Sequence, residues 1–296
     1  MAPLFAAIFV WACSAPDTQS GALSRSGLNT PVEHRAGGSA ASDSDGDGSP
    51  DAVDCAPNDR YSFPGAVEHC DGVDNDCDGT VDFGTHALRL VPGDTLETTD
   101  PAPQLGPARG PLTISFRIRA GGQAGTPVAW LGEGVGYAVT FGEPRNYPRV
   151  VVVPDDPANT HETNNRDNIL PSRWTHVSVV LQPGTKDEDA KVVLYLDGVR
   201  YNPHSLPSTF DLLDLSADNS LRLSAEQATG EIWIDELRFW SRSSNRTTLL
   251  PNMCGDLDGD EDALIAYFPF ESDFHDHGPH QLQLSVTSGT PQLAPL

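Results

Sequence analysis

Trp174-Thr-His-Val-Ser-Val-Val-Leu181 is followed, after the turn-rich Pro183–Asp189, by Lys191-Val-Val-Leu-Tyr-Leu-Asp-Gly198, and these two runs decide the fold. Their side chains alternate with the period of two that sends successive residues to opposite faces of a strand. Their β-branched and aromatic residues suit a pleated surface. Asp197-Gly198 is the dipeptide that closes a two-residue hairpin, because both of its positions must take positive φ. Two strands and a hairpin turn are expected.

Working outward, the same texture recurs from His86 onward. Ala87–Val91, Leu112–Arg119, Val128–Leu131, Gly136–Phe141, Arg149–Val153, Leu221–Ser224, Glu231–Phe239, Ala263–Phe268 and Gln281–Val286 read as further short strands between turn signals. No long amphipathic helix interrupts them, so residues 86–296 are expected to form an all-β sandwich or jelly roll. The 27 Gly and 25 Pro agree, since both favour turns. Along Glu231–Trp240, parity puts Trp233, Asp235, Leu237 and Phe239 on the buried face and sends Glu236 and Arg238 to solvent. Asp235 is then expected to take hydrogen bonds from a loop.

The chain has 18 Lys+Arg against 42 Asp+Glu, a net charge of −24, which excludes a sequence-independent nucleic-acid binder. No run of 18 or more apolar residues could span a bilayer as a helix. The acids concentrate in residues 43–82, with eleven Asp and one Glu against Arg60. Within them, Asp43-Ser-Asp45-Gly-Asp47-Gly48-Ser49-Pro-Asp51-Ala-Val-Asp54 has the spacing of a twelve-residue calcium loop. Asp43, Asp45, Asp47, Asp51 and Asp54 supply carboxylates at positions 1, 3, 5, 9 and 12, and Ser49 a backbone carbonyl at position 7. Gly48 at position 6 permits the sharp turn. A second copy has Asp74, Asp76, Asp78, Gly79, Thr80 and Asp82 at positions 1, 3, 5, 6, 7 and 9. No amphipathic helices flank the loops, so this is no helix–loop–helix. Two calcium ions are expected in residues 43–85, because an all-oxygen ligand set suits calcium better than copper.

Met1–Ala12 is an apolar run of signal-peptide length, and residues 14–42 are a flexible linker rich in Ser, Gly, Ala and Pro. Val10-Trp-Ala-Cys13 resembles a bacterial lipobox, which implies lipidation of Cys13 and a place on the outer membrane or cell surface; ordinary secretion is the alternative. Setting Cys13 aside leaves Cys55, Cys70, Cys77 and Cys254, an even number with three possible connectivities. Cys55–Cys70 is the preferred pair because it staples the two loops, and Cys77–Cys254 would tie the module to the sandwich.

Two resemblances extend these readings. Asp54-Cys55 and Phe63-Pro-Gly-Ala-Val-Glu-His-Cys70-Asp-Gly-Val-Asp-Asn-Asp-Cys77-Asp-Gly79 resemble the metal-binding motif of bacterial surface proteins, some members of which are associated with copper. The first loop is also similar to the calcium-dependent thrombospondin type 3 repeats. WTHVSVVLQ…KVVLYLDGVRYN, GEIWIDELRFWSRS and LIAYFPFESDFHDHGPH resemble the successive motifs of laminin-G-like, concanavalin A-like domains, which implies a two-sheet jelly-roll sandwich binding an extracellular glycan or protein. The same fold hosts glycoside hydrolases, but Glu231, Asp235 and Glu236 lack the E-x-D-x-E or E-x-D-x-x-E spacing, so catalysis is not expected. His275, His277 and His280 and the Asp256–Asp262 run read as a polar loop and a surface turn. The sequence therefore points to a non-enzymatic, surface-anchored calcium-binding recognition or adhesion protein touching the membrane through lipid only. A copper-handling surface protein is the alternative.

Overall fold

The computed structural model describes residues 42–66, 73–77, 79, 84–107, 110–132, 135–142, 146–153, 160–163, 169, 172–201, 203–206, 219–254 and 257–296. The signal segment, Cys13 and residues 14–41 of the linker lie outside them, as do Cys70, Asp78, Thr80, Asp82 and Asp256.

The described strands are β1 (His86–Leu90), β2 (Thr95–Thr98), β3 (Leu112–Ala120), β4 (Gly125–Gly132), β5 (Val135–Gly142), β6 (Tyr147–Val153), β7 (His161–Glu162) and β8 (Thr175–Gln182). They continue with β9 (Lys191–Leu196), β10 (Val199–Arg200), β11 (His204–Ser205), β12 (Ser220–Ser224), β13 (Ile232–Trp240), β14 (Leu264–Phe268), β15 (Leu284–Ser288) and β16 (Gln292–Pro295). A nine-stranded sheet runs β10-β9-β8-β3-β13-β1-β16, with β11 on β9 and β14 on β13; a seven-stranded sheet runs β15-β2-β12-β4-β5-β6-β7. The pairings are antiparallel, and the two sheets pack face to face as a sandwich.

The deciding hairpin forms as expected: β9 pairs β10 across Asp197 (φ 46°) and Gly198 (φ 69°). Alternation then fills the space between the sheets. Ile114, Phe116 and Ile118 of β3 and Val177, Val179 and Leu181 of β8 meet Val128 and Trp130 of β4 and Tyr137, Val139 and Phe141 of β5. Trp130 stacks on Tyr137 at 5.4 Å. Its Nε1 donates to the Ala102 carbonyl (2.8 Å) and the Tyr137 hydroxyl to the Leu105 carbonyl (2.8 Å), so both rings are buried without orphaned polar atoms. The strands the sequence does not announce, β2, β7, β11 and β16, are four residues or fewer, too short to carry a visible alternation.

β13 departs from the expected parity. Between Asp235 and Arg238 its register against β3 shifts by one residue, and Glu236 sits at φ 53°. The inserted residue splits the faces: Ile232, Ile234, Leu237 and Phe239 point between the sheets, whereas Trp233 and Trp240 join clusters on the outer face. Glu236 and Arg238 are buried, at 4% and 1% exposure, not solvated. Asp235 takes its ion-pair partner from the neighbouring strand, not from a loop: Arg117 Nη2 lies 3.0 Å from its Oδ2, and both side chains are fully buried. Beside them Arg238 pairs with Glu236 and with the Asn252 carbonyl, and the Tyr267 hydroxyl donates to Glu236 at 2.9 Å.

His176 on β8 belongs to this layer and is 3% exposed. Burial, and then the Arg238 and Arg117 charges, hold its pKa down at about 3. An unfolded histidine takes up its proton near pH ~6.5. The stability due to neutral His176 is therefore full above that pH and is lost as pH falls toward 3, at about 1.4 kcal/mol per unit. Asp235 and Glu236, pushed up by burial against the pull of Arg117 and Arg238, act in the opposite sense. The difference in unfolding free energy between wild type and His176→Gln isolates the histidine. Urea titrations from pH 8 to 4.5 should find it constant at the high end and shrinking below about pH 6.5; a constant difference throughout would contradict the assignment.

Candidate functional site

Residues 42–66, with 73–77 and 79, have almost no apolar core, and side-chain carboxylates organise their backbone. Asp43 accepts from the Gly46 amide at 2.8 Å and the Gly48 amide at 3.2 Å; Asp45 accepts from Asp47 (3.2 Å) and Asp47 from Ser49 (2.7 Å). Each of these bonds uses one oxygen and leaves the loop folded around the others. Carboxylate oxygens of Asp43, Asp45 and Asp47 lie within 4.8 Å of one another. Among the described residues nothing donates to the buried Oδ2 atoms of Asp45, Asp47 and Asp54. Burial pushes the Asp45 carboxyl up, the Asp47 amide opposes this, and the neighbouring Asp47, Asp54 and Asp43 charges push it the same way. Three buried carboxylate oxygens without donors, in a like-charged cluster, are the surroundings that a hard divalent cation neutralises. The residues fit such an ion. Asp51 is engaged differently: Ser44 donates to both its oxygens, from N at 2.7 Å and from Oγ at 2.8 Å.

The second loop repeats the backbone of the first. Asp74 accepts from the Gly79 amide at 2.9 Å, as Asp43 does from Gly48. Position 4 has positive φ in both, at Gly46 (80°) and Cys77 (59°), and so does position 6, at Gly48 (102°) and Gly79 (94°). Its remaining expected ligands, Asp78, Thr80 and Asp82, lie outside the described residues.

The disulfide joins Cys55 to Cys77, not Cys55 to Cys70, and the expected Cys77–Cys254 pair is excluded with it. Backbone bonds explain the choice. Phe63 N donates to Asn75 O and Gly65 N to Asp76 O, and buried Asn75 donates to Ser62 Oγ, so residues 75–77 are drawn alongside the first loop. The bridge still staples loop to loop, through the residue after Asp54 and position 4 of the second copy. Cys254 is also disulfide-bonded. With Cys55 and Cys77 oxidised, no thiolate remains at Asp54, Cys55 and Cys77 for a soft metal.

On the sandwich, one cross-strand row of the seven-stranded sheet runs Glu97, Arg222, Ala129, Ala138, Val151, Glu162. Large side chains of β4 and β5 point inward, so the two alanines leave a depression of about 450 Å³ on the outer face. Its floor is Ala129, Ala138, Val151 and Leu131; its polar wall includes Thr126, Thr140, Ser220 and Gln227. Arg222 bridges Glu226 (2.9 Å) and Glu97 (3.4 Å). Both acids of the trough are thus tied to one guanidinium. The acids of β13 and its approach are elsewhere: Glu231 pairs with Arg89 at 2.8 Å, and Asp235 and Glu236 are buried residues of the other, nine-stranded sheet.

A family model described as the concanavalin A-like lectin/glucanases superfamily matches residues 93–249, more than half of the chain. The chain belongs to that superfamily. A metal-binding motif model bearing the name of a copper-binding protein, MopE, matches residues 54–82, directly before it. No curated protein matches. Among solved structures, a "putative carbohydrate binding protein" from Bacteroides ovatus is similar at 15% identity and TM-score 0.47, over 72% of this chain and 62% of that one. The chain therefore spans less than two thirds of that protein. A heptameric SAP-like pentraxin from Limulus polyphemus is similar at 11% identity and TM-score 0.47, over 71% and 95%. The binding domain of botulinum neurotoxin DC, in complex with rat synaptotagmin II, follows at 13% identity and TM-score 0.41, over 59% and 51%.

Sequence reading missed the trough of this superfamily member. The signal was present in small residues at the outward positions of Val128–Leu131 and Gly136–Phe141, but only cross-strand register brings them to one row.

Proposed function

We propose that this is a non-enzymatic recognition protein of the cell surface, in which a calcium-binding module carries a sandwich that binds a glycan or protein. The observation that carries the calcium part is the set of buried Asp45, Asp47 and Asp54 oxygens that accept no hydrogen bond among the described residues. Asp43, Asp45, Asp47, Asp54 and the Ser49 carbonyl would hold the first ion, and Asp74 and Asp76, with Asp78, Thr80 and Asp82, the second. A bound calcium would supply the positive charge that these loops lack. The residues themselves order the backbone around it, through the Asp43–Gly48 and Asp74–Gly79 bonds. An all-oxygen donor set supports calcium over copper. The module then serves as a stiff, metal-dependent spacer, and lipid on Cys13 would anchor it, a reading supported by the Val10–Cys13 pattern alone.

The trough on the seven-stranded sheet is the ligand site of this proposal. Its alanine floor admits a flat apolar face, and the Arg222, Glu97 and Glu226 side chains offer donors and acceptors to hydroxyls. Membership of a lectin and glucanase superfamily supports a glycan ligand first. The test is capture by glycan and surface-protein arrays, with and without chelator. Wild type should bind in both conditions, whereas Arg222→Ala and the trough-filling Ala138→Leu should each lose at least about 1.4 kcal/mol, tenfold in affinity. Equal binding by both variants would move the ligand site off this sheet.

A further inference from the structure

The outer face of the nine-stranded sheet holds a patch that neither the aspartate-rich loops nor the trough explains. Ala87 of β1, Trp233 of β13 and Ala294 of β16 come together there with Trp174, Met253 and Cys254. Parity turns both tryptophans away from the core between the sheets, yet Trp174 and Trp233 are only 6% and 9% exposed. The Arg119 guanidinium lies between the two rings, 5.1 Å from Trp174 and 4.5 Å from Trp233.

The cysteine in this patch is disulfide-bonded. The chain has five cysteines, and Cys55 and Cys77 take each other, so Cys13 and Cys70 remain as partners for Cys254. Ala41–Leu296 form one compact unit, which contains Cys70 and Cys254 but not Cys13. The acidic module also ends beside the patch. The Thr85 amide donates to Glu271 at 2.8 Å, the Thr85 hydroxyl to the same carboxylate at 3.1 Å, and the Leu296 amide to the Thr85 carbonyl at 3.1 Å. A Cβ at Gly84 would displace that carboxylate, so the glycine belongs to the clamp. Two residues further on, Ala87 packs in the same cluster as Cys254. The fifteen residues from Cys70 to Thr85 can span up to about 50 Å, so the connectivity allows the pairing.

We infer that Cys254 is bonded to Cys70, and that the patch around Trp174 and Trp233 is the docking surface of residues 67–72. A disulfide holds its two Cα atoms about 4.4–6.8 Å apart, so the bond lays that segment against the patch. The two thiols give up two protons and two electrons to a disulfide-type oxidant of an oxidising compartment, by thiol–disulfide exchange. The module is then fixed to the sandwich twice, covalently through Cys254 and by hydrogen bonds through Glu271. Its second loop is braced as well, since Cys70 stands four residues before Asp74 and Cys77 lies inside the loop. None of this depends on which metal the loops take or on what the trough binds.

The test is disulfide mapping of the intact chain, produced in an oxidising compartment, by mass spectrometry with and without reductant. Trypsin and a protease that cuts after Asp and Glu separate the five cysteines. A Cys70–Cys254 pair of peptides should appear beside the Cys55–Cys77 pair, and both should vanish on reduction. Docking is read from limited digestion with a Glu-specific protease. Cleavage after Glu68 should be at least about tenfold slower in wild type than in Cys70→Ser/Cys254→Ser, because cleavage follows the population of the opened segment. Circular dichroism checks that the sandwich persists in the variant. A free Cys254 thiol, or its linkage to Cys13 or to a second chain, would overturn the pairing. Equal cleavage after Glu68 in both proteins would overturn the docking.

Discussion

Replacing Arg117 by alanine is expected to lower the unfolding free energy by about 3–5 kcal/mol, the largest effect of any single change considered. Arg117 and Asp235 are both fully buried and 3.0 Å apart, so the variant leaves a carboxylate in the interior with its partner removed. Burial already pushes Asp235 up, and the guanidinium is the main opposing influence. Arg117 also lies 5.2 Å from the Trp174 ring, so packing is lost with the charge. Removing both partners separates the terms: Arg117→Met with Asp235→Leu should recover most of the loss, because an apolar pair has no charge to desolvate. Urea denaturation of the two single variants and the double closes the cycle. A loss below about 1 kcal/mol in Arg117→Ala would mean that Asp235 finds other partners.

The second large effect falls on the two aspartate-rich loops proposed to bind calcium. Gly48 has φ 102° and Gly79 φ 94°, and nothing lies within 4 Å of where a Cβ would stand. A side chain therefore meets no neighbour at either position; what it costs is the backbone conformation, most of all for a β-branched residue. Gly48→Val and Gly79→Val should each weaken calcium binding about five- to thirtyfold, for a strain of about 1–2 kcal/mol. Neither position offers a side-chain ligand. Asp45→Ala should weaken it by removing a carboxylate oxygen, together with the bond that Asp45 accepts from the Asp47 amide. An acidic segment that gathers ions diffusely would respond slightly and equally to every lost charge, and not at all to the glycine changes.

The parts of the molecule legible in its sequence are those written in local chemistry. Alternation in Trp174–Leu181 and Lys191–Leu196 and the Asp197-Gly198 turn announce the sandwich. The spacing of Asp43, Asp45, Asp47 and Gly48 announces the loop whose oxygens the structure leaves without donors. What stayed hidden depends on distant partners. The bulge at Glu236 inserts one residue into a strand whose apolar pattern reads smoothly, so Glu236 and Arg238 looked solvated although they are buried. Spacing favours Cys70 as the partner that staples the two loops, whereas the Phe63–Asn75 and Gly65–Asp76 backbone bonds select Cys77 for Cys55. The trough needs Arg222, Ala129 and Ala138 in one row, from three strands far apart in sequence.

The most direct measurement is isothermal titration of the intact chain with calcium at about 0.15 M salt, where diffuse attraction is screened within about 8 Å. The loops described here predict saturable binding with dissociation constants of about 10⁻⁴–10⁻³ M, the range of extracellular calcium modules, at two ions per chain. Absence of a saturable calcium heat under these conditions would contradict the calcium reading of residues 43–85.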